Sequence, residues 1–207
     1  MPLVQLERID ENTAWGLWEI QEPLEALQEK LMRGHHPISI PAHIHHLEKK
    51  REWLSARLTI ASLCESLHLP FFGTEQDALG KPSLVGHQAH VSISHSGCYA
   101  AAIVDKQNPT GIDIELIRPK IQAVAARFLH PEEWEEDIIR QSLKWSIKET
   151  AYKAYGRKQL NLKDEIRIVL MDDGHEGSAQ VRVEKEGAHF LTVEFQVIQD
   201  YALAIVR

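Results

Sequence analysis

Two groups of side chains in this 207-residue sequence have types and spacings that could do chemistry together. The first is Asp113 and Glu115 in the run Gly111-Ile112-Asp113-Ile114-Glu115. An apolar run of this kind predicts a strand, and the strand period of two puts both carboxylates on one face. Two carboxylates side by side repel, so burying them raises their pKa values unless a cation sits between them. Hard oxygen donors with no cysteine nearby favour magnesium over a softer ion. The same pair also suits a half-exposed strand with a wet acidic face. Gly111, just before the strand, lets another backbone or a ligand come close.

The second group is Glu149 and Lys153 in the run Trp145-Ser146-Ile147-Lys148-Glu149-Thr150-Ala151-Tyr152-Lys153. Four apart, they share one face of a helix. As an exposed pair they would contribute only about 0.2–0.5 kcal/mol. If that face meets the Asp113 strand, Glu149 becomes a third oxygen ligand or a base. Lys153 then becomes a cation placed for a phosphate oxygen.

The elements that must position these groups follow from patterning. Tyr99-Ala100-Ala101-Ala102-Ile103-Val104 returns as Tyr201-Ala202-Leu203-Ala204-Ile205-Val206 at the end of the chain. The repeat predicts two similar halves, 1–107 and 108–207, each closing on a buried strand. In the first half the pattern gives a strand over 13–20 and a helix over 23–32 that stops at Gly34. A basic, histidine-rich connector leads to a long amphipathic helix from 46 until Pro70 stops it. A polar loop over 73–82 and paired strands over 91–94 and 100–104 around Gly97 complete it. In the second half Pro119 ends a strand over 112–117. Helices are predicted over 121–129 and from Pro131 into 138–155, with Gly156 as C-cap. Antiparallel strands are expected around 166–171, 181–183, 190–197 and 201–206. The fold class is α+β.

Composition bounds the function. Hydrophobic residues at 43% fill a core without staples. Thirty acidic against 23 basic side chains, a formal charge of -7, argue against a general nucleic-acid binder but permit a local basic pocket for phosphates. No apolar run approaches the roughly 20 residues of a membrane helix. With two cysteines and no basic-then-apolar leader after Met1, the expectation is a cytoplasmic protein. His35, His36, His43, His45 and His46 crowd one connector without fixed pair spacing or a cysteine partner, which reads as surface rather than zinc site. Trp15, Trp18, Trp53 and Trp134 read as packing residues, and Cys98 as a small buried one.

The two runs, in this order and at this spacing, resemble the two signatures of the 4′-phosphopantetheinyl transferases. Upstream segments are similar to the longer type that activates surfactin synthetase. Gly80-Lys81-Pro82 looks like its Gly-Lys-Pro loop, Ser92-Ile93-Ser94-His95-Ser96 like its Ser-His segment, and Lys49-Lys50-Arg51-Glu52-Trp53-Leu54 like its basic helix start. Thr110 and Thr150 depart from the family's usual residues, neither in a charged role. The resemblance implies two similar α+β subdomains about a pseudo-twofold axis in a monomer. The first would contact coenzyme A phosphates, and the second would carry the metal and the catalytic residues. It implies transfer of phosphopantetheine from coenzyme A to a serine of an acyl or peptidyl carrier protein. Asp113, Glu115 and Glu149 would hold magnesium. Glu149 would take the serine proton, directly or through a bound water, and Lys153 would steady or protonate the departing phosphate. Lys81, Ser94 and His95 would bind phosphates, while Arg51, helped by Lys50, would meet the 3′-phosphate.

Two other classes use the same residues. A magnesium phosphohydrolase or nucleotidyl transferase would bind a different nucleotide. A non-catalytic coenzyme A or carrier-binding module would bind without transfer.

Overall fold

In the computed structural model, which describes residues 2–34, 40–78, 80–156 and 159–206, the apolar patterning becomes two antiparallel sheets. One lies in each of two units, Met1–Asn108 and Pro109–Arg207. No helix among the described residues is long and apolar enough to cross a membrane.

The first unit runs β1 (Leu3–Arg8), β2 (Thr13–Glu19), α1 (Leu24–Arg33), α2 (Leu47–Ser66), β3 (Thr74–Gln76), β4 (Pro82–Leu84), β5 (His90–Ser96) and β6 (Tyr99–Asp105). The sheet order is β1-β2-β6-β5-β4-β3. Ile60, Leu63 and Cys64 of α2 pack on Val91, Ala102 and Val104, while α1 adds Leu27 and Leu31 against Leu54 and Leu58. Burial pushes the Cys64 thiol up to about 12, so it is a packing group and not a nucleophile.

Cys98 is exposed, contrary to expectation, because it occupies the tight turn between β5 and β6. β1, β3 and β4 were not legible in the sequence. β1 is an edge strand with mostly exposed residues, and the other two are three residues long within a turn-rich stretch.

The second unit runs β7 (Ile112–Leu116), α3 (Lys120–Val124), two short 3₁₀ turns (Ala125–Arg127 and Pro131–Glu133) and α4 (Ile138–Tyr155). Then come β8 (Ile166–Met171), β9 (Glu176–Glu184), β10 (Ala188–Ile198) and β11 (Tyr201–Val206). The order is β7-β11-β10-β9-β8, with α4 laid over β11 and β7. Leu143, Ile147, Ala151 and Ala154 of the helix meet Val181, Val193 and Phe195 of the sheet. The repeated segments become β6 and β11, both wholly buried and both flanked by a strand on each side.

The helix expected from Pro131 does not run into α4. Glu133 accepts from the His130 N–H at 2.8 Å and closes a single turn. Asp137 then starts α4 afresh, its carboxylate accepting from the Ile139 N–H at 2.7 Å. Trp134 sits in this break and is 52% exposed, so it is not a packing residue. At the other end Gly156 caps α4 with φ 100°, a left-handed conformation that glycine adopts without strain.

Gly111 sets how close α4 lies to β7. A Cβ there would stand 2.2 Å from the Thr150 carbonyl oxygen and 3.0 Å from the Ala154 nitrogen. Both are backbone atoms of the helix and cannot swing aside. Gly111→Ala is therefore expected to cost about 3 kcal/mol, the upper range for overpacking, measurable by urea unfolding. Unchanged stability would show that α4 rides free of β7.

Candidate active site

The site is built where α4 crosses β7. Asp113 and Glu115 pair across the ladder with Ala204 and Ala202, and both alanines belong to the core beneath α4. Register partners share a face, so both carboxylates point to the helix side, as the strand period predicts. Small hydroxyl residues let the helix settle on this strip: Ser146 Oγ donates to the Ala202 carbonyl at 3.4 Å and Thr150 Oγ1 to the Ala204 carbonyl at 3.1 Å. Ser146 thus lies over the level of Glu115, and Thr150 over the level of Asp113.

Lys153 completes the alignment. Its ammonium donates to Asp113 Oδ1 at 2.8 Å and to the Ile112 carbonyl at 3.0 Å, and both side chains are almost fully buried. Trp145, two turns earlier, lines a pocket of about 230 Å³ with Glu115, Arg118, Lys120, Ile121 and Val124. Trp145, Glu149 and Lys153 are spaced four apart on one helical face. Glu149 therefore falls between the Glu115 end and the Asp113 end of β7. The four residues expected to act together are on facing surfaces. Among the described residues, however, no three Asp, Glu, His or Cys side chains are already gathered to hold a metal ion. His43, His45 and His46 form no such group either, and His35 and His36 lie outside the described residues.

The expected phosphate residues lie in the first unit. Lys50 and Arg51 stand in the first turns of α2. The Arg51 guanidinium is held by two carbonyls, Glu22 O at 2.8 Å and Ile20 O at 3.0 Å, which fixes its orientation. His95 Nδ1 is 3.1 Å from Glu52 Oε2, and Glu52 also receives Lys49 at 2.7 Å. Ser94 is buried on β5, and Lys81 follows a turn in which its N–H donates to Asp77 Oδ1 at 2.8 Å. Arg57, unremarked in the sequence, is 5% exposed. It lies over the Trp53 ring and donates to Thr74 Oγ1 at 3.2 Å, tying α2 to the strand that leads to Lys81.

Lys148 was also missed. It is fully buried, with Nζ 2.6 Å from Glu133 Oε2, 2.7 Å from the Ile166 carbonyl and 3.0 Å from the Leu162 carbonyl. Burial pushes its ammonium below the usual lysine range, and Glu133 opposes that shift. A lysine three residues before Ala151 and five after Leu143 borders the buried stripe of α4, and that spacing was the available signal.

Residues 109–206 match the family described as the 4'-phosphopantetheinyl transferase superfamily. Among curated proteins, the chain is 30% identical over 146 residues to a 4'-phosphopantetheinyl transferase of Bacillus subtilis, covering 65% of this chain and 61% of that protein. It is 36% identical over 125 residues to the 4'-phosphopantetheinyl transferase psf-1 of Bacillus pumilus, covering 56% and 52%. The chain thus spans between half and two thirds of the length of these relatives. It is residues 109–206, carrying Asp113, Glu115, Glu149 and Lys153 on the facing surfaces of β7 and α4, that match the 4'-phosphopantetheinyl transferase superfamily.

Proposed function

We propose that this protein transfers the 4′-phosphopantetheine arm of coenzyme A to a serine of an acyl or peptidyl carrier protein, releasing 3′,5′-ADP, as a cytoplasmic monomer. The observation that carries the reading is the buried Lys153–Asp113 pair at 2.8 Å, on the helical face that also bears Glu149. A serine hydroxyl is a poor nucleophile near neutral pH, and the leaving 3′,5′-ADP is a concentrated anion. Glu149 answers the first difficulty by accepting the Oγ proton as the oxygen attacks phosphorus. Lys153 answers the second by neutralising, or protonating, the phosphate that departs with ADP.

The donor set suits a magnesium ion: Asp113, Glu115 and Glu149 offer only carboxylate oxygens. Held by these three, magnesium would supply positive charge against the pyrophosphate oxygens. The Lys153 ammonium also balances part of the charge of Asp113. Beside Glu115, the pocket sets two basic residues against the apolar Ile121, Val124 and Trp145, a surface suited to an acidic carrier protein.

The phosphate contacts belong to the same reading, with Lys81, Ser94 and His95 on the pyrophosphate and Arg51, helped by Lys50, on the 3′-phosphate. Arg51→Ala is expected to raise the apparent KM for coenzyme A several-fold and leave kcat nearly unchanged. Dephospho-coenzyme A, which lacks that phosphate, should be handled equally by the variant and the wild type. Equal losses with both substrates would place Arg51 elsewhere.

Ligand-induced stabilisation tests the reading as a whole. Coenzyme A with magnesium should raise the unfolding temperature, and ATP with magnesium should do so far less. The reverse ranking would favour a different nucleotide enzyme.

A further inference from the structure

A buried ion pair is weak support for stability, because apolar residues of similar volume often replace such a pair at no cost. What it does supply is direction. All three donors of the Lys148 ammonium are committed, to Glu133 Oε2, the Leu162 carbonyl and the Ile166 carbonyl. Glu133 is equally committed. Its Oε2 also accepts from the His130 N–H and its Oε1 from the Ile168 N–H, each at 2.8 Å. One point on α4 is thereby tied to the 131–133 turn, to the 162–166 segment and to the start of β8. That point is the residue directly before Glu149. On its other side the helix meets the sheet through the apolar Leu143, Ile147, Ala151 and Ala154, the small Ser146 and Thr150, the close approach at Gly111 and, one turn past Glu149, the Lys153–Asp113 pair.

We propose that Lys148 and Glu133 are positioning residues. Their buried pair fixes the height and rotation of α4 on its sheet, and so fixes where Glu149 and Lys153 stand against Glu115 and Asp113. This inference rests on the transfer reading above for its kinetic consequences, but its geometric content is independent of that reading.

The test compares wild type with Lys148→Met, with Lys148→Met/Glu133→Met and with Lys148→Arg. Three quantities are measured: thermal midpoint, kcat and KM for carrier modification, and amide hydrogen exchange over residues 149–153. The single Met variant leaves Glu133 charged and buried and should lower the midpoint. The double variant removes both charges and should recover a midpoint within about 3 °C of wild type. Its kcat should stay at least about tenfold low, with KM for coenzyme A changed by less than about threefold, and exchange at 149–153 should be faster. In a Glu149→Gln background the same double substitution should lower kcat by a smaller factor than in the wild type, since one of the two groups it positions is already disabled. Lys148→Arg keeps the charge but cannot aim three donors at the same acceptors. It should fold and also lose turnover.

Recovery of both midpoint and kcat in the double variant would overturn the proposal, as would wild-type kcat in Lys148→Arg. If wild type adds no phosphopantetheine to carrier protein, the functional reading falls instead. The positional claim is then decided by exchange alone, and unchanged protection of 149–153 in the double variant overturns it.

Discussion

Glu149→Gln is expected to lower kcat for carrier modification by about 10² or more, the usual span for one positioned acid-base group. The substitution keeps the side chain's shape and removes its charge. α4 carries Glu149 between Trp145, which shares a pocket with Glu115, and Lys153, which binds Asp113. Removing the charge takes away both a proton acceptor and an oxygen donor. Coenzyme A binding should change far less, because the expected phosphate contacts lie on other elements. Modification rates by mass and coenzyme A binding by calorimetry, on one preparation, separate the two effects. Turnover at the wild-type rate would make Glu149 an ordinary surface partner of Lys153.

Asp113→Ala is expected to lose transfer altogether and also to lower stability. Lys153 is 8% exposed, and without the carboxylate its ammonium would lose its buried anionic partner and keep the Ile112 carbonyl. Stranding a buried charge in this way costs about 3 kcal/mol. Adding Lys153→Met should restore most of that stability, since no charge is then left unpaired, but should restore no transfer. Denaturant unfolding follows the first effect and carrier modification the second. A single variant with full turnover at saturating magnesium would remove Asp113 from the site.

The parts of the site that follow a local period were legible in the sequence. Asp113 and Glu115 share a face because strands repeat every two residues, and Ala204 and Ala202 beneath α4 bear this out. Glu149 and Lys153 share a face because helices bring residues four apart together. The repeated Tyr-Ala segments became β6 and β11, short apolar runs bounded by turn residues and buried along their whole length in the sheet interiors.

What escaped depends on long-range partners. The burial of Lys148 is set by Glu133 and by two carbonyls beyond the end of α4, none of which its own neighbours in sequence disclose. Trp134 reads as a packing residue only if the helix starting at Pro131 continues, and the capping contact of Glu133 with His130 ends it. Cys98 reads as buried from its size, yet a two-residue hairpin turn puts it outside.

Intact-mass spectrometry of an apo carrier protein, incubated with this protein, coenzyme A and magnesium, tests the central claim most directly. The predicted result is a carrier heavier by one phosphopantetheine group, on its serine, with 3′,5′-ADP formed in equal amount and no gain when the Glu149→Gln protein replaces the wild type for the same interval. A carrier of unchanged mass, in a reaction where calorimetry shows coenzyme A bound, would contradict the account and leave a coenzyme A binding module in its place.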